Sequence, residues 1–144
     1  MRRALELALQ AKALGEIPIG AIIVNPEGTV IATGFNSRET GHDPTAHAEI
    51  IALRAAGEAL QDWRLTNMTM YVTLEPCPMC AGAISMSRIS RLVLGAWNDE
   101  YGATGSRWDL VRDSRLNHQV EVIPGVLADE CGSLVSEFLA QRRV

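Results

Sequence analysis

Cysteine is scarce, with three residues in a chain of 144. A small odd number cannot build the disulfide framework of a secreted mini-domain, and it points to a reducing compartment. Long apolar runs are missing too. No stretch approaches the roughly 20 residues that span a bilayer, so no membrane association is expected. The basic start, Met1-Arg2-Arg3, is interrupted by Glu6, Gln10 and Lys12 before a signal-peptide core can form. Together these absences make the cytoplasm the expected location. Positive charge is also short: 13 Lys and Arg against 17 Asp and Glu leave a formal net charge of −4. No global basic field advertises nucleic acid, which argues against a nonspecific nucleic-acid binder but leaves room for a local patch. Lys12 is the one lysine, and every other basic residue is arginine. Arginine forks suit phosphate, and a biased genome composition gives the same excess.

What is present is an ordinary globular composition, 47% hydrophobic and 21% charged. The length suits a single domain over 1–144 with a real core. Residues 2–14 read as a helix stopped by Gly15, apolar almost all round and therefore expected to be well covered. Residues 19–25 and 30–35 read as a hairpin around Asn25-Pro26-Glu27-Gly28. Asp43-Pro44 has the form of a helix start, with Asp as N-cap and Pro at the first helical position, for a helix to about Leu60. A strand over 68–74 is broken by Pro76 and Pro78 and leads into a helix over 78–87. Residues 91–95 and 120–123 read as short strands. Leu127, Cys131, Leu134, Val135, Phe138 and Leu139 recur at helical spacing in a last helix, with Cys131 on its apolar stripe. The connection 97–114 has little periodicity, and a loop of that length in a compact domain is usually functional or mobile. The order α-β-β-α-β-α-β-β-α predicts an α/β fold, a three-layer α/β/α sandwich with a mixed five-stranded sheet.

Two motifs carry chemistry. His47-Ala48-Glu49 is followed about thirty residues later by Pro76-Cys77-Pro78-Met79-Cys80. One imidazole and two thiols make three good zinc ligands. Three protein ligands leave one position of a tetrahedral Zn²⁺ for water, which is the arrangement of a catalytic site rather than a closed structural one. Cys77-x-x-Cys80 alone could be a redox pair of thioredoxin type, and a lone His at a helix start is more often a cap. Redox chemistry has no use for His-x-Glu, so the two motifs together favour zinc. They match the His-x-Glu…Pro-Cys-x-x-Cys signature of zinc nucleobase deaminases. Hydrolytic removal of an exocyclic amine needs an activated water and a proton shuttle, and Glu49 is the candidate shuttle. On a regular helix His47 and Glu49 would point roughly 200° apart, so the substrate is expected across the helix tip. Glu75 reads as an acceptor behind the ligands or as a solvated strand end. His42 and His118 read as loop or surface residues.

Longer stretches narrow the match. The runs 15–24 (GEIPIGAIIV), 42–50 (HDPTAHAEI) and 71–83 (YVTLEPCPMCAGA), with Phe35-Asn36 between the first two, resemble the bacterial tRNA-specific adenosine deaminases. The runs 88–91, 102–106 and 125–131 and the pair Asn117-His118 extend the resemblance over nearly the whole chain. It implies a cytidine-deaminase-like fold and a homodimeric zinc enzyme. The implied reaction converts adenosine to inosine at the wobble position of a tRNA anticodon stem-loop. By the same resemblance His47, Cys77 and Cys80 hold zinc and Glu49 moves protons. Asn36 hydrogen-bonds the flipped base, and Ile17, Pro18, Leu74 and Asn98 complete the substrate pocket. Read without the resemblance, Asn36 is a turn residue. Where the family often carries Asp after Gly95-Ala96, this chain has Trp97-Asn98-Asp99-Glu100, and Leu139 replaces an aromatic of the last helix. Arg64, Arg88, Arg91, Arg107, Arg142 and Arg143 are the supply for RNA phosphates, and each could equally be a solvated charge. Two other readings stand beside this one: a deaminase of a free base or nucleoside of guanine or cytosine type, and a non-catalytic RNA-binding protein with structural zinc.

Overall fold

The run Gly20-Ala21-Ile22-Ile23 is buried along its length, as a strand with neighbours on both edges and helices on both faces should be. It is β1 (Gly20–Val24) of a computed structural model that describes residues 1–143. The other elements are α1 (Arg2–Ala13), β2 (Val30–Phe35), α2 (Ala48–Leu60), β3 (Thr69–Leu74), α3 (Pro78–Met86), β4 (Arg91–Ala96), β5 (Glu121–Ile123) and α4 (Ala128–Arg142). The strands form one sheet in the order β2-β1-β3-β4-β5. β1 runs antiparallel to β2 and β3, while β3, β4 and β5 are mutually parallel. Parallel neighbours need a crossover, and α3 supplies the one between β3 and β4. The sheet is therefore mixed and five-stranded, with four helices around it.

Strand register fixes the layers. Gly34 lies opposite Ala21, so it faces one side while Gly20 faces the other. At Gly20 a Cβ would overlap the backbone of Ala4 and sit 2.7 Å from Ala8 N, both in α1. At Gly34 it would overlap the carbonyl of Ala48 and sit 2.8 Å from Ala52 N, both in α2. Hence α1 and α2 cover opposite faces. The register carries the Gly20 side through Thr73 to Gly95, whose missing Cβ is filled by Cys131 of α4. This gives α1 and α4 on one face and α2 with α3 on the other, the three-layer sandwich. Between the sheet and α2/α3 lies the main core: Ile23, Met70, Val72, Leu92 and Leu94 from strands, Ala48, Ala52 and Ala56 from α2, and Ala81 and Ile84 from α3.

Two expectations are corrected. Helix α1 buries Ala4, Leu5, Leu7, Ala8 and Ala11 but leaves Leu9 and Leu14 more than half exposed, so it is covered on one face only. Helix α2 starts at Ala48, not at Asp43-Pro44. The Asp43 carboxylate instead accepts both the backbone N–H and the hydroxyl of Thr45, each at 2.8 Å, and the His47 N–H returns to Thr45 O at 2.8 Å. Asp43 thus closes a side-chain turn of its own, which competes with a helix start.

Substituting Gly34→Ala is expected to force α2 away from the sheet at the residue between His47 and Glu49. Overpacking of this kind costs about 1–3 kcal/mol. Urea unfolding would read the loss as a lower midpoint with an unchanged slope, and an unchanged midpoint would contradict this packing.

Candidate active site

His47 is the N-cap of α2, in extended conformation (φ −74°, ψ 154°), and Cys77 is the N-cap of α3 in the same conformation (φ −72°, ψ 173°). Pro78 follows as the first residue of α3, where its missing N–H costs nothing. Glu49, two residues after its cap, lies in the first turn of α2, and Cys80, three after its cap, lies in the first turn of α3. Because His47 lies outside the helix, the 200° separation from Glu49 expected of a regular helix does not apply. Both side chains belong to the helix tip.

The three sequence-predicted ligands converge. His47 Nδ1 lies 3.6 Å from Cys77 Sγ and 3.5 Å from Cys80 Sγ, and the three donor atoms all lie within 4.8 Å of one another. One imidazole nitrogen and two thiol sulfurs at this spacing fit a tetrahedral Zn²⁺, whose Zn–S and Zn–N distances are about 2.3 and 2.0–2.1 Å. Cys80 is fully buried and Cys77 and His47 are half-buried, so the group is reached from one side. Two helix N-termini aim their partial positive charge at it, which favours thiolates.

The titrating groups reflect this crowding. The hydrogen bond shared with Cys80 and the neighbouring His47 hold the Cys77 thiol down to about 4 against its burial. The same shared hydrogen bond, then burial and the Glu49 charge, push Cys80 up. His47 is raised, first by its hydrogen bond to Cys77. Burial pushes Glu49 up to about 7, opposed by its own backbone N–H. A carboxyl that is 4% exposed and titrates near neutrality beside a metal-ligand group is suited to exchanging protons.

The remaining predicted residues are spread over several elements. Asn36, at the end of β2, is buried, and Ser37 N–H donates to Ala46 O at 3.0 Å, one residue before His47. Pro18 is buried and Ile17 half-buried in the entry to β1. Leu74 packs against the small cluster of Leu5, Ala96 and Cys131. Asn98 spends its side-chain oxygen on the N–H groups of Glu100 (3.3 Å) and Tyr101 (3.1 Å), so it builds its own loop. His118 Nε2–H donates to Ile89 O (2.7 Å), and His42 is exposed.

Two buried carboxylates have roles that the sequence did not disclose. Glu75 does not stand behind the metal ligands. Its oxygens accept the backbone N–H groups of Asn98, Thr104 and Ser106, each at 3.0 Å, and so pin the 97–106 loop beside Pro76. Glu16, 1% exposed, accepts Thr40 N–H at 2.6 Å and Asn36 Nδ2–H at 3.4 Å. The one available signal for Glu16 was an acidic residue embedded in the apolar entry to a buried strand. Of the arginines considered for RNA, Arg64 and Arg91 pair with Asp62 and Glu121. Arg88 and Arg64 both lie over the exposed Trp63 ring, at 5.7 and 4.7 Å.

Comparison with known proteins agrees with this site. The family described as the cytidine and deoxycytidylate deaminase zinc-binding region matches residues 1–96. A tRNA-specific adenosine deaminase of Haemophilus influenzae is 54% identical over 143 residues, covering 99% of this chain and 83% of the relative. A structure from a study of A-to-I editing by tRNA:A34 deaminases at the wobble position of transfer RNA superposes with a TM-score of 0.89 at 42% identity, over 93% of this chain and 96% of that one. A guanine deaminase structure from Bacillus subtilis superposes with a TM-score of 0.65 at 32% identity, over 99% and 91%.

The donor geometry predicts one zinc per chain in purified protein. Cys80→Ala should abolish stoichiometric metal as read by elemental analysis. A variant that kept full zinc would remove Cys80 from the ligand set.

Proposed function

The chain belongs to the cytidine and deoxycytidylate deaminase zinc-binding family, and from that premise we propose that it deaminates adenosine to inosine at the wobble position of tRNA anticodons, releasing ammonia. The observation that carries the substrate is sequence likeness over nearly the whole chain to tRNA-specific adenosine deaminases, higher in identity than the likeness to the guanine deaminase. The chemistry rests on a His-Cys-Cys group next to a buried carboxyl.

In this reading His47, Cys77 and Cys80 hold the ion. When bound, zinc supplies a Lewis acid that makes a water nucleophilic near neutral pH. Glu49 would accept a first proton from the attacking water and pass it to the ring nitrogen N1 as a C–O bond forms at C6 of adenine. It would then take the second proton from the new C6 hydroxyl and give it to the departing amine as the C–N bond breaks and the C6 carbonyl forms, so the products are inosine and ammonia. Asn36 orients the base, and Ile17, Pro18, Leu74 and Asn98 wall the pocket. An anticodon loop suits such a pocket because its bases can be splayed out without opening a duplex. The cytoplasm holds that substrate, and its reducing conditions suit three free cysteines.

We read the assembly as a homodimer. A groove between α2 and α3 is lined by Ile50, Leu53, Trp63, Ala83 and Met86, of which Trp63 and Met86 are 57% and 67% exposed. A second copy of the chain is the occupant, in line with the resemblance. Sedimentation should report a dimer, and Met86→Glu should shift it to monomer; a monomeric parent would remove the homodimer.

Adding the pure protein to total tRNA should create inosine at wobble adenosines, detected by sequencing. Glu49→Ala should retain zinc and lose about 10²–10⁴-fold in deamination rate. If Glu49→Ala turned over like the parent, the shuttle would lie elsewhere. Free guanine turning over faster than a wobble-A stem-loop would reverse the choice of substrate.

A further inference from the structure

We propose that Glu16 is a positioning residue that fixes which way round the Asn36 carboxamide faces the base. The inference rests on the reading that Asn36 contacts the target adenine.

The geometry places Glu16 for this task. Gly15 adopts a left-handed conformation (φ +79°) and ends α1, with Gly15 N–H on Lys12 O and Glu16 N–H on Ala11 O, both at 3.0 Å. The turn sends the Glu16 side chain inward to 1% exposure. One carboxylate oxygen takes Thr40 N–H at 2.6 Å, and the other takes Asn36 Nδ2–H at 3.4 Å. Asn36 is itself buried, and its backbone N–H is held by Ile19 O at 3.1 Å. Burial would raise the Glu16 carboxyl, yet the Thr40 and Glu39 hydrogen bonds and the Arg38 charge hold it below its ordinary value. It is therefore an anion at neutral pH.

An ionised carboxylate only accepts hydrogen bonds, whereas a carboxamide both donates and accepts. Facing Glu16, Asn36 has one favourable orientation, with its NH₂ toward the carboxylate. The opposite orientation would set two oxygens against each other in a buried place. One hydrogen of the NH₂ is used by Glu16 and the second stays available. In neutral adenosine N1, N3 and N7 accept, while N9 carries the ribose. The exocyclic amine on C6 lies between the N1 and N7 edges; N1 is the one protonated by the shuttle, which leaves N7 for Asn36. The orientation that Glu16 enforces is thus the one that offers N7 a donor.

The variant Glu16→Gln is nearly isosteric. Its side-chain oxygen can keep Thr40 N–H, and its NH₂ then replaces the second carboxylate oxygen. That NH₂ needs an acceptor, so it turns Asn36 round and points an amide oxygen at N7.

The test measures kcat/KM on a wobble-A stem-loop and on the same stem-loop carrying 7-deazaadenosine at the target. In the parent, loss of N7 should cost about 10–100-fold, the worth of one such hydrogen bond. Glu16→Gln should lose about 10–100-fold on the normal substrate and show no further loss on the deaza one. In an Asn36→Ala background Glu16→Gln should add nothing. A merely structural role would lower both substrates equally and keep the deaza penalty, which would overturn the proposal, as would additive losses with Asn36→Ala. If Glu16→Gln does not fold, Glu16→Asp carries the same test, because its shortened side chain weakens the hold on Asn36. A parent that makes no inosine would sink the tRNA reading, and this inference with it. A parent that edits while Glu16→Gln keeps the penalty would sink this inference alone.

Discussion

Three donor atoms from two segments thirty residues apart must meet within a few ångström, and everything near the site follows from that demand. The solution uses two helices on the same face of the sheet, each beginning on a ligand. His47 caps α2 and Cys77 caps α3, so both ligands sit where a helix axis meets the strand ends. Such an arrangement works only if neither helix can slide. The sheet-facing side of α2 is accordingly built of Ala48, Ala52 and Ala56, all fully buried. Gly34 lets the backbone of β2 touch the backbone of α2 directly at Ala48. Close packing of small groups leaves few alternative positions, because interiors at crystal-like density resist displacement. The ligand geometry is thus inherited from the core.

Three carboxylates are buried here, and their surroundings separate their roles. Glu75 has three backbone N–H donors and Glu16 has one backbone and one side-chain donor. Both oxygens of each are in use, as buried charges require. Glu49 is supported by its own backbone N–H and by the Cys80 side chain, and its pKa rises to about 7. By count of donors Glu49 matches Glu16. What separates them is that burial and the Cys77 charge outweigh the donors of Glu49, while the donors of Glu16 and the Arg38 charge outweigh its burial. The same reasoning applies to the thiols. Without an ion they divide into a lowered Cys77 and a raised Cys80. A divalent cation would take both as thiolates, so metal affinity carries the cost of deprotonation.

Much of this could be read from the chain before any coordinates. Spacing alone named His47, Glu49, Cys77 and Cys80, because metal ligation uses few residue types and Pro78 marks a helix start. The order of elements and the mixed sheet followed from hydrophobic period and turn residues. What failed was local competition. Asp43-Pro44 carries both a helix-start pattern and a side-chain turn pattern, and Thr45 decides for the turn by supplying two donors to Asp43. That four-residue shift moved His47 out of the helix and removed the angular difficulty with Glu49. Glu16 and Glu75 were opaque for a different reason. All their partners but Asn36 are backbone N–H groups 23 to 31 residues away, and a backbone donor has no sequence identity. The loop 97–114 lacked periodicity because it is organised by Glu75 and Asn98 and not by an apolar face.

An acidic chain that acts on RNA must obtain its recognition locally. Among the described residues Arg2, Arg3, Arg54, Arg64, Arg91, Arg112 and Arg115 already face carboxylates within 4.0 Å. Such pairs are individually weak at the surface, but each partner dilutes the attraction its arginine offers to a phosphate. Arg88, Arg107 and Arg142 lie outside these pairs, and each sits over an aromatic ring as well as donating to backbone oxygens. A cation held over an exposed ring is placed to meet a base and its phosphate together. Trp108 is 47% exposed, so the ring under Arg107 is open to solvent, whereas Trp63 lies in the groove assigned to a second copy of the chain. Affinity built from a few such contacts would be modest. In the proposed reading discrimination then falls to Asn36, since a base that could not match its carboxamide would leave buried polar groups unpaired, at a penalty larger than an exposed ion pair supplies.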